Sequence, residues 1–364
     1  MFESIKWRWD ILWAAGFCLL LLLTFAVYYP GLSGPFLLDD HGTLNRLGMY
    51  GGVDDLNSLF LYLTSHSNGL GRQVSFLSFL LTDYGWPSDP WLFKLHNLLF
   101  HLLTGVLVAW LALLVARVMK VPEGAAVPVA VLTAGLWLLH PLLVSTVLYA
   151  VQRMAILSCL FMTAAMIAYV AGRLRLASGL PLSGFGLMSA SLVLLFPLAV
   201  FSKENGVLLP LLLIAMEATV LRMQPPPEAH RTALRIWWAV FLLLPVLILG
   251  GYFALNWAEE VILRYEKRPF DLSERLLTET RILLEYLGLL VFPRGQTSGL
   301  YHDNYVLSLG LFHPPMTFLS VGLISAMLVG AWWLRKATPV LSLAIIFFFV
   351  GHLLESSFFP LELY

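Results

Sequence analysis

The sequence predicts an all-α polytopic membrane protein, on two facts of composition and one pattern. Of its 364 residues, 59% are hydrophobic and only 12% are charged, with a mean hydropathy of +0.81. A soluble domain carries about 25% charged residues. The apolar residues gather in runs of about 20, the length that crosses a hydrocarbon core as a helix. Lys and Arg together number 22, as do Asp and Glu, so the net charge is zero and no nucleic-acid partner is expected. Cys18 and Cys159 both lie in apolar runs without metal-ligand spacing, and no disulfide is expected between them.

Taken in order, spans are expected near 11–30, 97–117, 127–143, 154–171, 183–201, 206–221, 236–257, 315–334 and 340–359. The first run is too long and too weakly flanked by small residues for a cleaved signal peptide, so it is read as a retained helix. The stretch 279–293 is short and ends in a proline, which suggests an interfacial or re-entrant segment. Basic residues fall in alternate short loops: Lys6 and Arg8, Arg117 and Lys120, Arg173 and Arg175, Arg222 with Arg231 and Arg235, then Arg335 and Lys336. By the positive-inside rule the N-terminus is cytoplasmic, and the long loops 31–92 and 258–314 face outward. Residues 74–81 of the first loop form an amphipathic stretch suited to the membrane surface. In the second, Asp271 is placed to cap a helix with Glu274 reaching back. Pro225, Pro226 and Pro227 form a cytoplasmic linker, and without internal repeats the chain reads as one transmembrane domain over 1–364.

Carboxylates at the edge of a bilayer are expensive to hold charged, which singles out Asp39 and Asp40 in the run Phe36-Leu37-Leu38-Asp39-Asp40-His41. The expected topology gathers other polar residues on the same outer face: Arg72, His96, Asn97, His101, His140, Gln152, Arg153, Lys203, Glu204, His302, Asp303 and Glu355. Their chemistry is complementary. Cations there would bind the anionic phosphate of a lipid-linked donor and stabilise its departure. Arg153 and Lys203, at outer helix ends, are the first candidates for this, with Arg72 beside them. Asp39 or Asp40 would then take the proton of an attacking hydroxyl. Supporting or acceptor-binding roles fall to Glu204, His96, His302, Asp303 and Glu355, the last read as lying inside an apolar helix. Plainer readings compete: a solvated turn for the two acids, snorkelling for the cations, and helix packing for the histidines. His96 and His101, five residues apart, do not share a helix face, so no metal site is expected there, nor any cofactor.

The order of these motifs is similar to that of one family. Phe36-Leu37-Leu38-Asp39-Asp40-His41, Gly71-Arg72-Gln73-Val74-Ser75-Phe76, Leu95-His96-Asn97-Leu98-Leu99-Phe100-His101, His140-Pro141, Gln152-Arg153 and Ser202-Lys203-Glu204-Asn205-Gly206 follow one another between spans. This succession resembles the transmembrane and tetratricopeptide-repeat-containing O-mannosyltransferases and their bacterial relatives, glycosyltransferases of the GT-C fold. Tyr301-His302-Asp303-Asn304 and the ending from Glu355 look like the bacterial branch. The resemblance implies inverting transfer from a polyprenyl-phosphate sugar to a hydroxyl of a secreted or membrane protein, outside a bacterial inner membrane. Asp39 would be the base, with Asp40 beside it. The chain departs from the family at Gln73, where Pro is usual. Relatives also continue past the position of Tyr364, so a truncated form, or completion by another chain, is expected. A transporter or flippase of lipid-linked sugars is the rival reading, although transporters gather their charges near the midplane of repeated halves. A GT-C relative acting on oligosaccharides or lipid is the other.

Overall fold

The computed structural model describes residues 2–49, 51–64, 71–294 and 305–363, with side chains described from residue 12 onward. His302 and Asp303 lie outside these residues. The described residues fold into helices and turns, with one isolated bridge between Gly310 and His313. Among the described residues, seven helical stretches are long and apolar enough to cross a membrane: Leu12–Ser33, Pro90–Val118, Ala150–Ala177, Pro181–Val200, Glu204–Met223, Glu228–Leu255 and Met316–Leu334. Each coincides with an expected span. The two other expected spans are helices of 16 and 13 residues, Glu123–Leu138 and Pro339–Gly351, below the usual spanning length. The chain is an α-helical membrane protein.

Chain contacts divide it into two compact units, 1–207 and 208–364. In the first, α1 (Phe2–Tyr28) leads into a polar segment bearing three short helices, α2 (Asp39–Leu44), α3 (Leu56–Thr64) and α4 (Gln73–Phe79). There follow α5 (Pro90–Val118), α6 (Glu123–Leu138), α7 (Leu143–Leu148), α8 (Arg153–Ala177) and α9 (Pro181–Ala190). Helix α8 packs against both α5 and α9, and α5 against α6. Small residues let helices approach in a membrane, where packing rather than hydrophobicity drives association. At the α8–α9 contact, a Cβ on Gly172 would stand 2.7 Å from the Gly184 carbonyl oxygen. Beyond α9 the helix widens over Ser191–Leu195, just ahead of Pro197, which has no N–H for the ladder.

The amphipathic stretch near 74–81 becomes α4. Its Ser75, Phe76, Ser78 and Phe79 are buried, and it belongs to an aromatic cluster with Tyr62, Phe93, Tyr149 and Met154. This core lies under the acidic loop.

In the second unit, α10 (Leu272–Val291) packs on α11 (Met316–Leu334), and α11 on α12 (Pro339–Gly351). The expected capping box is present: Asp271 accepts from the Glu274 N–H and Glu274 accepts from the Asp271 N–H. The Glu274 N–H and the Ser273 hydroxyl, both donating to it, hold the Asp271 carboxyl below its ordinary value. The apolar stretch 279–293 is therefore the second half of a capped 20-residue helix rather than a short separate segment. Arg275 is wholly buried beside Glu279 at 3.1 Å and donates to the carbonyls of Glu355, Ser357, Leu361 and Glu362. Burial pushes the Glu279 carboxyl up to about 7, against the pull of Arg275. One expectation is corrected here. Glu355 is not inside an apolar helix, because α12 ends at Gly351 and Glu355 lies in the following turn.

Candidate functional site

A cleft of about 410 Å³ opens in the first unit, lined by Asp39, Gly42, Thr43, Arg72, Val151, Gln152, Met154 and Lys203. Four chain segments far apart in sequence meet there. Each is held by a distinct set of bonds.

The acidic loop is the most constrained. Asp40 is fully buried, and its carboxylate accepts the N–H groups of Leu37 (2.9 Å) and Val151 (2.7 Å). Burial raises the Asp40 carboxyl above its ordinary value, opposed by these N–H donors and by the charge of Lys94. The Lys94 ammonium, buried in the second turn of α5, donates to the carbonyls of Gly34 and Pro35. Between these anchors Leu38 adopts φ 35°, ψ −109°, a conformation that a residue with a Cβ keeps only when its surroundings impose it. The neighbouring Asp39 is exposed and faces the cleft. Of the adjacent pair, one carboxylate is a buried tie and the other is open to a ligand.

The cations come from α4 and the 201–206 turn. Arg72, just before α4, contacts Glu204 at 2.9 Å and Met154 Sδ at 3.3 Å. The Val74 N–H donates to the Phe201 carbonyl and the Ser75 hydroxyl to that of Ser202, which fastens α4 to the turn carrying Lys203. Gly206 closes that turn because a Cβ there would stand 2.4 Å from the Ala199 carbonyl carbon. Arg72 and Glu204 are about 40% exposed, and such pairs contribute roughly 0–1 kcal/mol, so an incoming anion can displace the carboxylate from Arg72.

Arg153 corrects the sequence expectation. Expected on the donor phosphate, it is wholly buried and does not line the cleft. Its Nε donates to Asn97 Oδ1, Nη1 to the Ser78 carbonyl and Thr82 Oγ1, and Nη2 to the Phe93 carbonyl. The guanidinium lies 4.9 Å and 5.3 Å from the ring centres of Phe79 and Phe93. Every guanidinium nitrogen is engaged by the protein. Asn97 passes this order on, its amide N–H groups reaching the carbonyls of Val147, Tyr149 and Ala150.

Of the residues expected at the site, Asp39, Arg72 and Lys203 line the cleft, Glu204 stands against Arg72, and Asp40 ties the loop from below. His96 is not among the lining residues; its Nδ1 lies 3.1 Å from Thr82 Oγ1 and 2.9 Å from the Leu92 carbonyl. His101 packs as a core residue, bonded to the Leu138 carbonyl and stacked on Trp137. Glu355 belongs to the second unit, where its carbonyl accepts from Arg275.

Three contributors were not singled out from the sequence: Thr43 in the wall, Lys94 behind the loop and Tyr149 beneath it. For Lys94 a signal existed. Lys94, Asn97, His101 and Thr104 recur at helical spacing in α5, and all four are buried, so a polar stripe runs down an apolar helix. Such a stripe asks for partners inside the bundle.

Comparison with protein-family models, with curated proteins and with solved structures gives no match to this chain.

Proposed function

We propose that the protein is a membrane glycosyltransferase that moves a sugar from a polyprenyl-phosphate donor to a hydroxyl acceptor, a Ser or Thr of a secreted or membrane protein, on the outer face. The observation that carries the reading is the meeting in one cleft of an exposed carboxylate, Asp39, with two cations, Arg72 and Lys203. Acceptor activation needs a proton acceptor, and phosphate departure needs positive charge. In the reaction, the acceptor oxygen attacks the anomeric carbon opposite the phosphate. The sugar–phosphate C–O bond breaks, the hydroxyl proton passes to Asp39, and the lipid phosphate leaves paired with Lys203 and Arg72. Asp40 keeps the loop in register without touching substrate. The alternation of basic loops puts the N-terminus in the cytoplasm and this cleft outside, where a lipid phosphate and an aqueous hydroxyl meet.

The test of donor binding uses the protein in lipid nanodiscs with a synthetic polyprenyl-phosphate sugar. Lys203→Ala is expected to raise the donor KM about tenfold or more, the size of one lost charge-assisted hydrogen bond. Arg72→Ala should act in the same direction, with Glu204 left without the guanidinium it pairs with. Unchanged donor KM in both variants would take the cations out of the site.

A further inference from the structure

We propose that Tyr149 is the positioning residue of this site, its hydroxyl holding Asp39 in the orientation from which the carboxylate meets the acceptor. The inference rests on the glycosyltransferase reading above and adds to it a residue outside the acidic motif.

The geometry is specific. The Asp39 N–H donates to the Tyr149 hydroxyl at 2.7 Å, across 110 residues of chain. Asp39 opens α2, where the first N–H groups of a helix have no partner within it. Water would ordinarily fill that role; here a buried side chain does. The charge of the Asp39 carboxylate also acts on this hydroxyl. A phenol has one proton and two lone pairs, so it can accept from the backbone N–H and still hold its own proton. Burial pushes the Tyr149 hydroxyl up to about 12, so it keeps that proton throughout the physiological range.

Tyr149 is itself well anchored. It is 7% exposed, and its ring sits in the aromatic core with Leu44, Phe79, Phe93 and Met154. Its carbonyl accepts from Asn97 and from the Gln152 N–H, which ties it to α5 and to the start of α8. Two residues on, the Val151 N–H binds Asp40. The segment 149–151 therefore grips both carboxylate residues, one through a side chain and the other through the backbone. Leu38, at φ 35°, is the strained link that this grip maintains. Without the hydroxyl, Asp39 would keep its place in the chain but lose the bond that aims it.

Tyr149→Phe keeps the ring in the core and removes only the hydroxyl. Two measurements on the complete protein in nanodiscs decide the matter. Amide hydrogen exchange should speed up in the peptide covering 37–44 and stay unchanged in peptides from α5 and α8. Transfer from a synthetic polyprenyl-phosphate sugar should show kcat reduced about ten- to a hundredfold, the scale of a misplaced reacting group, with donor KM unchanged. Unchanged exchange over 37–44 overturns the proposal, as does faster exchange with undiminished kcat. If the unaltered protein transfers no sugar at all, the functional reading fails instead, and exchange alone decides whether Tyr149 holds the loop.

Discussion

Asp39→Asn is expected to lower sugar transfer by about a hundred- to ten-thousand-fold, the range for loss of a general base, without lowering the amount of protein in the membrane. The carboxylate is exposed in the cleft, so the amide meets no packing penalty. The backbone N–H that binds Tyr149 survives the change, so the loop keeps its course. What is lost is a group able to accept the hydroxyl proton. Asp40→Asn should behave differently. Both Asp40 oxygens accept backbone N–H groups, whereas an amide offers one acceptor and would point its own N–H at Leu37 or Val151. Stranding one of those donors costs about 1–3 kcal/mol, so this variant should lose thermal stability while retaining more transfer than Asp39→Asn. Thermal unfolding of the two proteins in detergent, alongside their transfer rates, checks both halves. Normal transfer by Asp39→Asn with none by Asp40→Asn would reverse the assignment within the pair.

The second large effect is on folding. Arg153→Ala should prevent the protein from accumulating. The change strands Asn97 Oδ1, takes one of the donors from the Ser78 and Phe93 carbonyls, and opens a void between Phe79 and Phe93. A buried acceptor left without a donor costs about 1–3 kcal/mol and a large-to-small change in a core about 2–5 kcal/mol, so the total approaches the whole stability of a typical domain. Arg153→Lys should rescue little, because an ammonium cannot reproduce a planar fork aimed at two segments. Membrane abundance, followed by in-gel fluorescence of a tagged protein, is the readout. Normal abundance of Arg153→Ala with weakened donor binding would restore the phosphate role expected from the sequence.

The contrast between these arginines marks where sequence reading gave out. Membrane spans are legible because a 20-residue apolar run leaves the chain few alternatives. The capping box at Asp271 was legible for a similar reason, since both partners lie within one turn. Asp39 and Lys203 could be picked out as charges at the ends of apolar segments. Arg153 looks the same by that criterion. Its partners come from positions 78, 82, 93 and 97, and nothing local to Gln152-Arg153-Met154 says that the guanidinium turns inward. Tyr149 was hidden likewise, since its bond to Asp39 spans 110 residues. The buried polar stripe of α5 is the exception. Its spacing is readable, since Lys94, Asn97 and His101 recur three and four residues apart. The helix end at Gly351 is not legible because Leu353, Leu354, Phe358 and Phe359 carry apolar character past the last helical turn.

The most direct measurement of the central claim is intact-mass spectrometry of secreted proteins from a strain lacking this gene, complemented with either the unaltered gene or Asp39→Asn. The account predicts that some secreted proteins become lighter by whole sugar units in the deletion strain. The unaltered gene should restore their mass, and Asp39→Asn should not. Restoration by the variant would contradict it: if Asp39→Asn restores the masses as fully as the unaltered gene, the carboxylate is not the base. If masses never change while lipid-linked sugar builds up on the inner leaflet, the protein moves its lipid across the membrane instead of transferring the sugar.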